Sequence, residues 1–439
     1  MKFYNREQEL QLLADIRQQS LQTSRMTVLT GRRRIGKTML ALESVKNEKY
    51  LYFFITRKSE SLLCEEFSRE IKEFLQIPVF GEIKKFTDII GLLLEYSKQQ
   101  PLTVIVDEFQ DFYNINPAVY SEMQRLWDLK KDSGRLNLIF IGSIYSLMQK
   151  IFQDNKEPLF NRADRIIQLK PFKIEVIAEI LKDYGITDKQ ALFDFYLFTG
   201  GSPKYLDLLL TNKVTDLSGI LEFAVAENSP FINEGRNLLV EEFGRDYAIY
   251  FSILELISCG KTSRPEIESI INKTVGGYLD RLESDFGIIT RVLPYNAKPL
   301  AKTVKFKIKD NFLNFWFRFI NKNRSALEAG NFNYLKTVIK RDYATYSGLV
   351  LEDFFRELLK ETGSYNLIGS YWEKGNQNEI DIVAVDDLQK QVLIAEVKRN
   401  KERLNLELLK NKSKERLAEY PNYRIKWLGL SSEDIRQKF

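Results

Sequence analysis

The 439-residue sequence contains no histidine. That absence excludes Ser-His-Asp catalysis, histidine general bases and histidine-ligated metals within this chain. Any metal site must be built from oxygen ligands, which points to Mg²⁺, Mn²⁺ or Ca²⁺. Cysteine is nearly absent as well: Cys64 and Cys259 are far apart, and neither sits in a metal-like pair. A reduced, cytoplasmic chain is therefore expected. Long apolar runs are missing too. No stretch approaches the roughly 20 residues of a membrane span, so no membrane partner is expected. The opening residues Met1–Arg6 lack the apolar stretch of a signal peptide.

What is present fits a globular protein with real cores, 44% hydrophobic and 28% charged. The length calls for about two to four domains. The net charge is +5, and from Lys398 onward there are 12 Lys/Arg against 6 Asp/Glu. Such a tail suggests either a polyanion nearby or a solvated helix face.

The most informative stretch is Gly31, Arg32, Arg33, Arg34, Ile35, Gly36, Lys37 and Thr38, which reads G-x-x-x-x-G-K-[ST]. An apolar run suited to a buried strand, Met26–Thr30, precedes it. A run suited to a helix, Met39–Lys46, follows. In that context the backbone N–H groups of the loop cradle phosphates at the positive end of the helix. Lys37 is expected to reach the β- and γ-phosphates and Thr38 to ligate Mg²⁺, with Met39 just beyond. A glycine-rich turn with an incidental lysine would leave both flanks unexplained.

Four more apolar runs follow, Tyr50–Ile55, Leu102–Val106, Leu136–Ile141 and Ile166–Leu169, with helical patterns between them. Alternating strands and helices predict a parallel sheet covered on both faces. The third of the five runs ends in Asp107 and Glu108, placing a metal-holding carboxylate beside the loop and a water-polarising one next to it. One strand-and-helix unit, 50–97, lies between loop and Asp107, as in phosphate-loop enzymes with an inserted strand and a catalytic glutamate. Ser143, after the fourth run, is a candidate sensor of the γ-phosphate or a plain turn serine. Arg162 is a candidate to reach phosphate across a subunit boundary, in a nucleotide-dependent homo-oligomer, or a surface ion-pair partner.

Residues 172–240 read as helices without a strand signal, forming a helical lid or a plain helix–turn–helix around Gly200, Gly201 and Pro203. From Asp246, three helices and two strands (288–293 and 303–308) read as a winged helix-turn-helix. Ser263 and Glu266 form a capping box. Val304, Phe306 and Ile308 alternate with Lys305, Lys307 and Lys309, so the lysines share a face that suits DNA phosphates. The recognition helix is less basic, which leaves a structural or protein-binding wing open. The aromatic run 311–320 is read as packing between domains.

Near the end, Glu379 and Asp381 lie two apart on one strand, and Glu396 and Lys398 two apart on the next. Residues two apart share a face, so the carboxylates could share a cation while the lysine orients water. With Glu352 on the preceding helix, this order strongly resembles the PD-(D/E)xK nuclease core. The resemblance implies that Glu352, Asp381 and Glu396 hold Mg²⁺ or Mn²⁺ and that Lys398 is catalytic. Ile380 stands where many members have proline.

The whole chain resembles the archaeal-type ATPases, found also in bacteria, which join an AAA-like domain related to signal-transducing ATPases to a winged helix and a nuclease-like domain. The residues that carry this are Asn5–Glu7, Gly31–Thr38, Asp107–Gln110, Gly200–Tyr205, Lys309–Phe312 with Phe315–Phe319, and Glu379–Asp381. The resemblance implies ATP rather than GTP, with Asn5, Arg6 and Pro203 joining the loop in nucleotide binding. Family members commonly carry Gly-Arg where this chain has Asn161-Arg162. The expected fold class is α/β: a P-loop NTPase sheet (1–171), a helical lid (172–240), a winged helix-turn-helix (241–320), a helical connector (321–345) and an α/β nuclease-like domain (346–439). The expected function is ATP binding and Mg²⁺-dependent hydrolysis coupled to DNA and to a metal-dependent nuclease-like domain. The alternative is a nucleotide-controlled switch whose nuclease-like domain only docks a partner.

Overall fold

The computed structural model describes residues 1–77, 81–297, 304–373 and 378–435. They fall into two compact units, residues 3–170 and residues 1–2 with 171–439.

The first unit is built on five parallel strands: β1 (Arg25–Thr30), β2 (Tyr50–Phe54), β3 (Leu102–Asp107), β4 (Leu136–Ile141) and β5 (Arg165–Gln168). Their spatial order is β2-β3-β4-β1-β5. The apolar runs anticipate all five, with no end shifted by more than one residue. Every residue of β3 and β4 is buried, as expected for strands covered on both faces. Alternation divides them between two cores. Val104, Val106, Leu138 and Phe140 join an aromatic-rich cluster with Phe67, Phe86, Phe109 and Trp127. Ile105, Ile139 and Ile141 join Leu13, Leu29 and Leu40 on the opposite face. The order puts β4 between the strand leading into the loop and the strand ending in Asp107, so both functional ends emerge at the same sheet edge.

The first helix, Glu7–Ser20, has Arg6 at its cap position. Asn5 instead accepts the Arg6 N–H through its side chain at 2.7 Å. Both residues adopt left-handed backbone conformations.

The second unit begins with five helices between Ile174 and Phe243 and no strand. Gly200 and Gly201 both have positive φ, and a Cβ on Gly201 would stand 2.3 Å from the Phe172 carbonyl oxygen. Glycine is therefore required there by close backbone approach. Pro203 opens the next helix in its first turn.

Three helices follow, Tyr247–Ser258, Arg264–Ile271 and Gly276–Ser284, with the expected Ser263–Glu266 capping box on the second. Strands β6 (Ile289–Val292) and β7 (Lys305–Ile308) then pair antiparallel, Ile289 opposite Ile308 and Val292 opposite Lys305. The expected start of this second strand, Thr303, lies outside the described residues. Phe306 and Ile308 are buried. The aromatic run is core: Phe312, Phe315, Trp316, Phe317 and Phe319 are all buried. Trp316 packs so tightly on Gly235 that a Cβ there would lie 2.3 Å from the indole.

The helix Phe332–Thr362 runs unbroken for 31 residues, straight through the boundary expected at 345/346. It passes through Gly348, and Gly363 caps it in the left-handed region. Beyond it, β8 (Leu367–Tyr371), β9 (Ile380–Asp386), β10 (Gln391–Val397) and β11 (Arg424–Leu430) form a sheet ordered β11-β10-β9-β8. β8, β9 and β10 are antiparallel neighbours, while β11 runs parallel to β10 after the helix Leu406–Leu417.

Candidate active site

The phosphate loop bends through Gly31 (φ 135°), Arg34 (φ 73°) and Gly36 (φ 87°) before the helix Lys37–Ser44. At Gly31 a Cβ would meet the Ile35 side chain at 2.4 Å and the Leu169 carbonyl oxygen at 2.7 Å. Only glycine suits that position. Ile35 is buried and anchors the loop in the core below. Lys37 is 7% exposed, and its Nζ donates to the carbonyls of Gly31 and Arg32 at 2.9 and 2.8 Å. Met39 is 60% exposed beside it. The helix start and the lysine thus concentrate positive potential at the loop.

The end of β3 faces this loop. The Thr38 hydroxyl donates to Asp107 Oδ2 at 2.7 Å. The Tyr52 hydroxyl, from β2, donates to the same oxygen at 2.9 Å, and the Glu108 N–H holds Oδ1 at 2.8 Å. Glu108 has left-handed backbone geometry, φ 55°. The Ser143 hydroxyl lies 2.8 and 2.7 Å from its two carboxylate oxygens, and the Gln110 amide donates to one of them at 2.5 Å. Arg33 Nε reaches the Ser143 hydroxyl at 3.4 Å. Loop, Asp107, Glu108 and Ser143 therefore form one continuous hydrogen-bonded set. A hydroxyl and a carboxylate converging beside a phosphate loop is an all-oxygen donor set that fits Mg²⁺ with nucleotide.

Tyr52 and Gln110 were not identified as site residues from the sequence. Gln110 belongs to the Asp107–Gln110 motif but was given no role. Tyr52 had only strand alternation to place it. Burial, reinforced by the Asp107 carboxylate, raises the Tyr52 hydroxyl well above its ordinary range.

Other expected residues have the following partners and places. Arg6 is buried, ion-paired to Glu9 at 3.1 Å and bonded to the Lys170 carbonyl. Arg162 is held by Asp128 at 3.2 Å and by the Phe160 carbonyl at 2.8 Å, the surface ion-pair alternative. Pro203 belongs to the other unit.

In that other unit the carboxy-terminal residues gather around Asp381, which is 8% exposed. Its Oδ2 accepts the Val397 N–H at 2.8 Å and meets Lys398 Nζ at 3.4 Å. Lys398 is also 3.6 Å from Glu396, whose other oxygen accepts the Asn405 N–H at 3.2 Å. Arg356 ties Glu352 (3.7 Å) to the Asp381 carbonyl (2.7 Å) and also engages Asp353. Burial, and then the Asp381 charge, push the Glu352 carboxyl up to about 8. Burial works against the Lys398 charge, but Asp381 and Glu396 outweigh it and its pKa rises.

The four residues are thus neighbours, linked through the Lys398 and Arg356 ion pairs. Lys398 pairs with two of the carboxylates, Asp381 and Glu396. Among the described residues no three acidic, cysteine or histidine side chains converge to hold a metal ion.

The β7 lysines differ from the expected open phosphate-contacting face. Lys305 pairs with Glu379 at 3.2 Å and lies 4.4 Å from the Trp372 ring centre. Lys307 pairs with Asp353. Burial disfavours charge on Asp353, yet Lys307 and Arg356 outweigh it and lower its pKa. The adjoining turn follows the same course: the Tyr295 N–H donates to Ser370 at 2.7 Å, and Asn296 to Glu419 at 2.6 Å. The alternation was read correctly. The partners, carboxylates of the same unit, have no local signal in sequence.

No helix among the described residues is long and apolar enough to cross a membrane. Residues 3–209 match the family described as an ATPase domain predominantly from Archaea. Residues 316–417 match a family of archaeal and bacterial proteins of unknown function. An uncharacterized protein of Methanocaldococcus jannaschii is 29% identical over 416 residues, 90% of this chain and 87% of that one. Among solved structures, the Walker-type ATPase of Pyrococcus abyssi is similar at a TM-score of 0.55 and 17% identity, over 72% of this chain and 96% of that one. The ORC2 protein of Aeropyrum pernix, solved as ADPNP and ADP complexes, is similar at 0.51 and 15%, over 75% and 95%. These likenesses concern the fold. Residues 3–209 are thus similar to an ATPase domain found predominantly in Archaea, and residues 316–417 to a family of archaeal and bacterial proteins of unknown function.

Proposed function

We propose that the amino-terminal domain binds ATP with Mg²⁺ and hydrolyses it. The observation that carries this reading is the hydrogen-bonded series Thr38–Asp107–Glu108–Ser143 facing the loop. The backbone of Gly31–Gly36 would cradle the phosphates, and Lys37 would exchange its carbonyl partners for their oxygens. Thr38 and Asp107 would hold Mg²⁺, which when bound supplies electrophilic stabilisation of phosphate charge. Glu108 would orient and polarise the attacking water, and Ser143 fixes Glu108 for that role. Arg162 serves this reading only by leaving Asp128 for a neighbouring subunit's nucleotide. The test is phosphate release from ATP with Mg²⁺ or with EDTA. Turnover that needs Mg²⁺ and disappears in Lys37→Ala supports the proposal; turnover that survives Lys37→Ala sinks it.

For the second unit, two readings rest on different observations. Three helices followed by the β6–β7 hairpin, together with the Glu352, Asp381, Glu396 and Lys398 cluster, support a winged helix joined to a nuclease-like module that acts on DNA with Mg²⁺ or Mn²⁺. The ion-paired state of Lys305, Lys307 and Lys398 supports a docking module without cleavage. Incubation with plasmid, Mg²⁺ or Mn²⁺, and ATP separates them. Cleavage abolished by Asp381→Ala supports the first reading. Intact plasmid, with DNA affinity insensitive to salt, supports the second.

A further inference from the structure

Tyr52 occupies a place at the loop that none of the motifs announces. β2 pairs with β3 in parallel, with Tyr52 opposite Ile105 and Phe54 opposite Asp107. The tyrosine packs against the same core as Leu40 and Ala41 of the loop's helix, so its ring is fixed on the sheet face that carries the loop. Its hydroxyl and that of Thr38 converge on a single oxygen of Asp107, at 2.9 and 2.7 Å. The other oxygen is held by the Glu108 N–H at 2.8 Å. With donors on both oxygens, the carboxylate cannot turn about its Cβ–Cγ bond without breaking hydrogen bonds. Thr38 and Glu108 have further duties in the proposed reaction, whereas Tyr52 has none.

We propose that Tyr52 is the positioning residue of the Mg²⁺-facing carboxylate, setting the orientation of Asp107 and thereby the Mg²⁺ requirement of the site. The inference rests on the assignment of Asp107 to Mg²⁺. Tyr52 acts through Asp107, as outer partners orient metal ligands in general.

Tyr52→Phe removes only the hydroxyl and keeps the ring in the core. The affinity of the full-length protein for a fluorescent ATP analogue is measured over a Mg²⁺ series and in EDTA. In EDTA the variant is expected to match wild type, which shows that the fold and loop are intact. The Mg²⁺ concentration giving half of the affinity gain should rise about tenfold. An unchanged Mg²⁺ midpoint in a Mg²⁺-responsive protein overturns the role of Tyr52 alone. Affinity lost equally in EDTA also overturns it, since that marks a merely structural effect. If wild type does not respond to Mg²⁺, or Asp107→Asn leaves the response intact, the underlying assignment of Asp107 falls, and Tyr52 with it.

Discussion

Glu108 combines two features that seldom meet by accident: a left-handed backbone on a bulky residue and a carboxylate with hydroxyl and amide partners. Such backbone strain persists only where the surroundings enforce it. Ser143 holds the Glu108 carboxylate by both oxygens. Ser143→Ala should lower the rate of ATP hydrolysis roughly 10- to 100-fold, the equivalent of one charge-assisted hydrogen bond. Nucleotide affinity should stay unchanged, and steady-state kinetics with a binding titration reads both. Glu352 gives a second residue-level prediction. Its carboxyl titrates near 4.5 in the unfolded chain and about 8 in the fold. A raised folded pKa gives stability that is present in acid and lost as pH climbs through that interval. Glu352→Gln should therefore stabilise the protein more at pH 8 than at pH 5, by on the order of a few kcal/mol. Thermal melts across that range check it, and a pH-independent difference would contradict the assignment. Lys37, Thr38, Asp107, Glu108 and Ser143 were legible because a short motif or a strand end fixes each one locally. Tyr52 was not, because its partner comes from a neighbouring strand.

Among elements, the five strands of the first unit were legible because two-sided burial demands uninterrupted apolar runs. The long helix was less so: a connector was expected to end at 345, yet the helix continues through Gly348 to Thr362. The β6–β7 hairpin shows the limit most clearly. Alternation put Lys305 and Lys307 on one face, but Glu379 and Asp353 are brought to them by tertiary folding. The Lys307–Asp353 pair has one partner more than a third exposed and one largely buried. Its loss should fall between the exposed and buried limits, about 1–2 kcal/mol for Lys307→Ala. In a double-mutant cycle with Asp353→Asn, denaturant unfolding should show the combined loss to be smaller than the sum. Strict additivity would mean that the hairpin is held by other contacts.

At the scale of the molecule, the loop-bearing unit has the fold of Walker-type ATPases, and in the second unit Lys305, Lys307, Arg356 and Lys398 are paired with carboxylates. The order of helices and strands was legible because each carries its own period and caps. The commitment of Lys398 to two carboxylates was not, since the E-x-K spacing is the same whether the lysine faces a cation site or fills it. The central claim concerns the first unit: Asp107 and Glu108 make the loop a hydrolytic site and not only a binding one. Single-turnover hydrolysis of ATP by Glu108→Gln, set beside its ATP affinity, tests that most directly. The expected result is wild-type affinity with hydrolysis slowed at least 100-fold, in the range of a lost general base. Hydrolysis by Glu108→Gln at the wild-type rate would contradict the account.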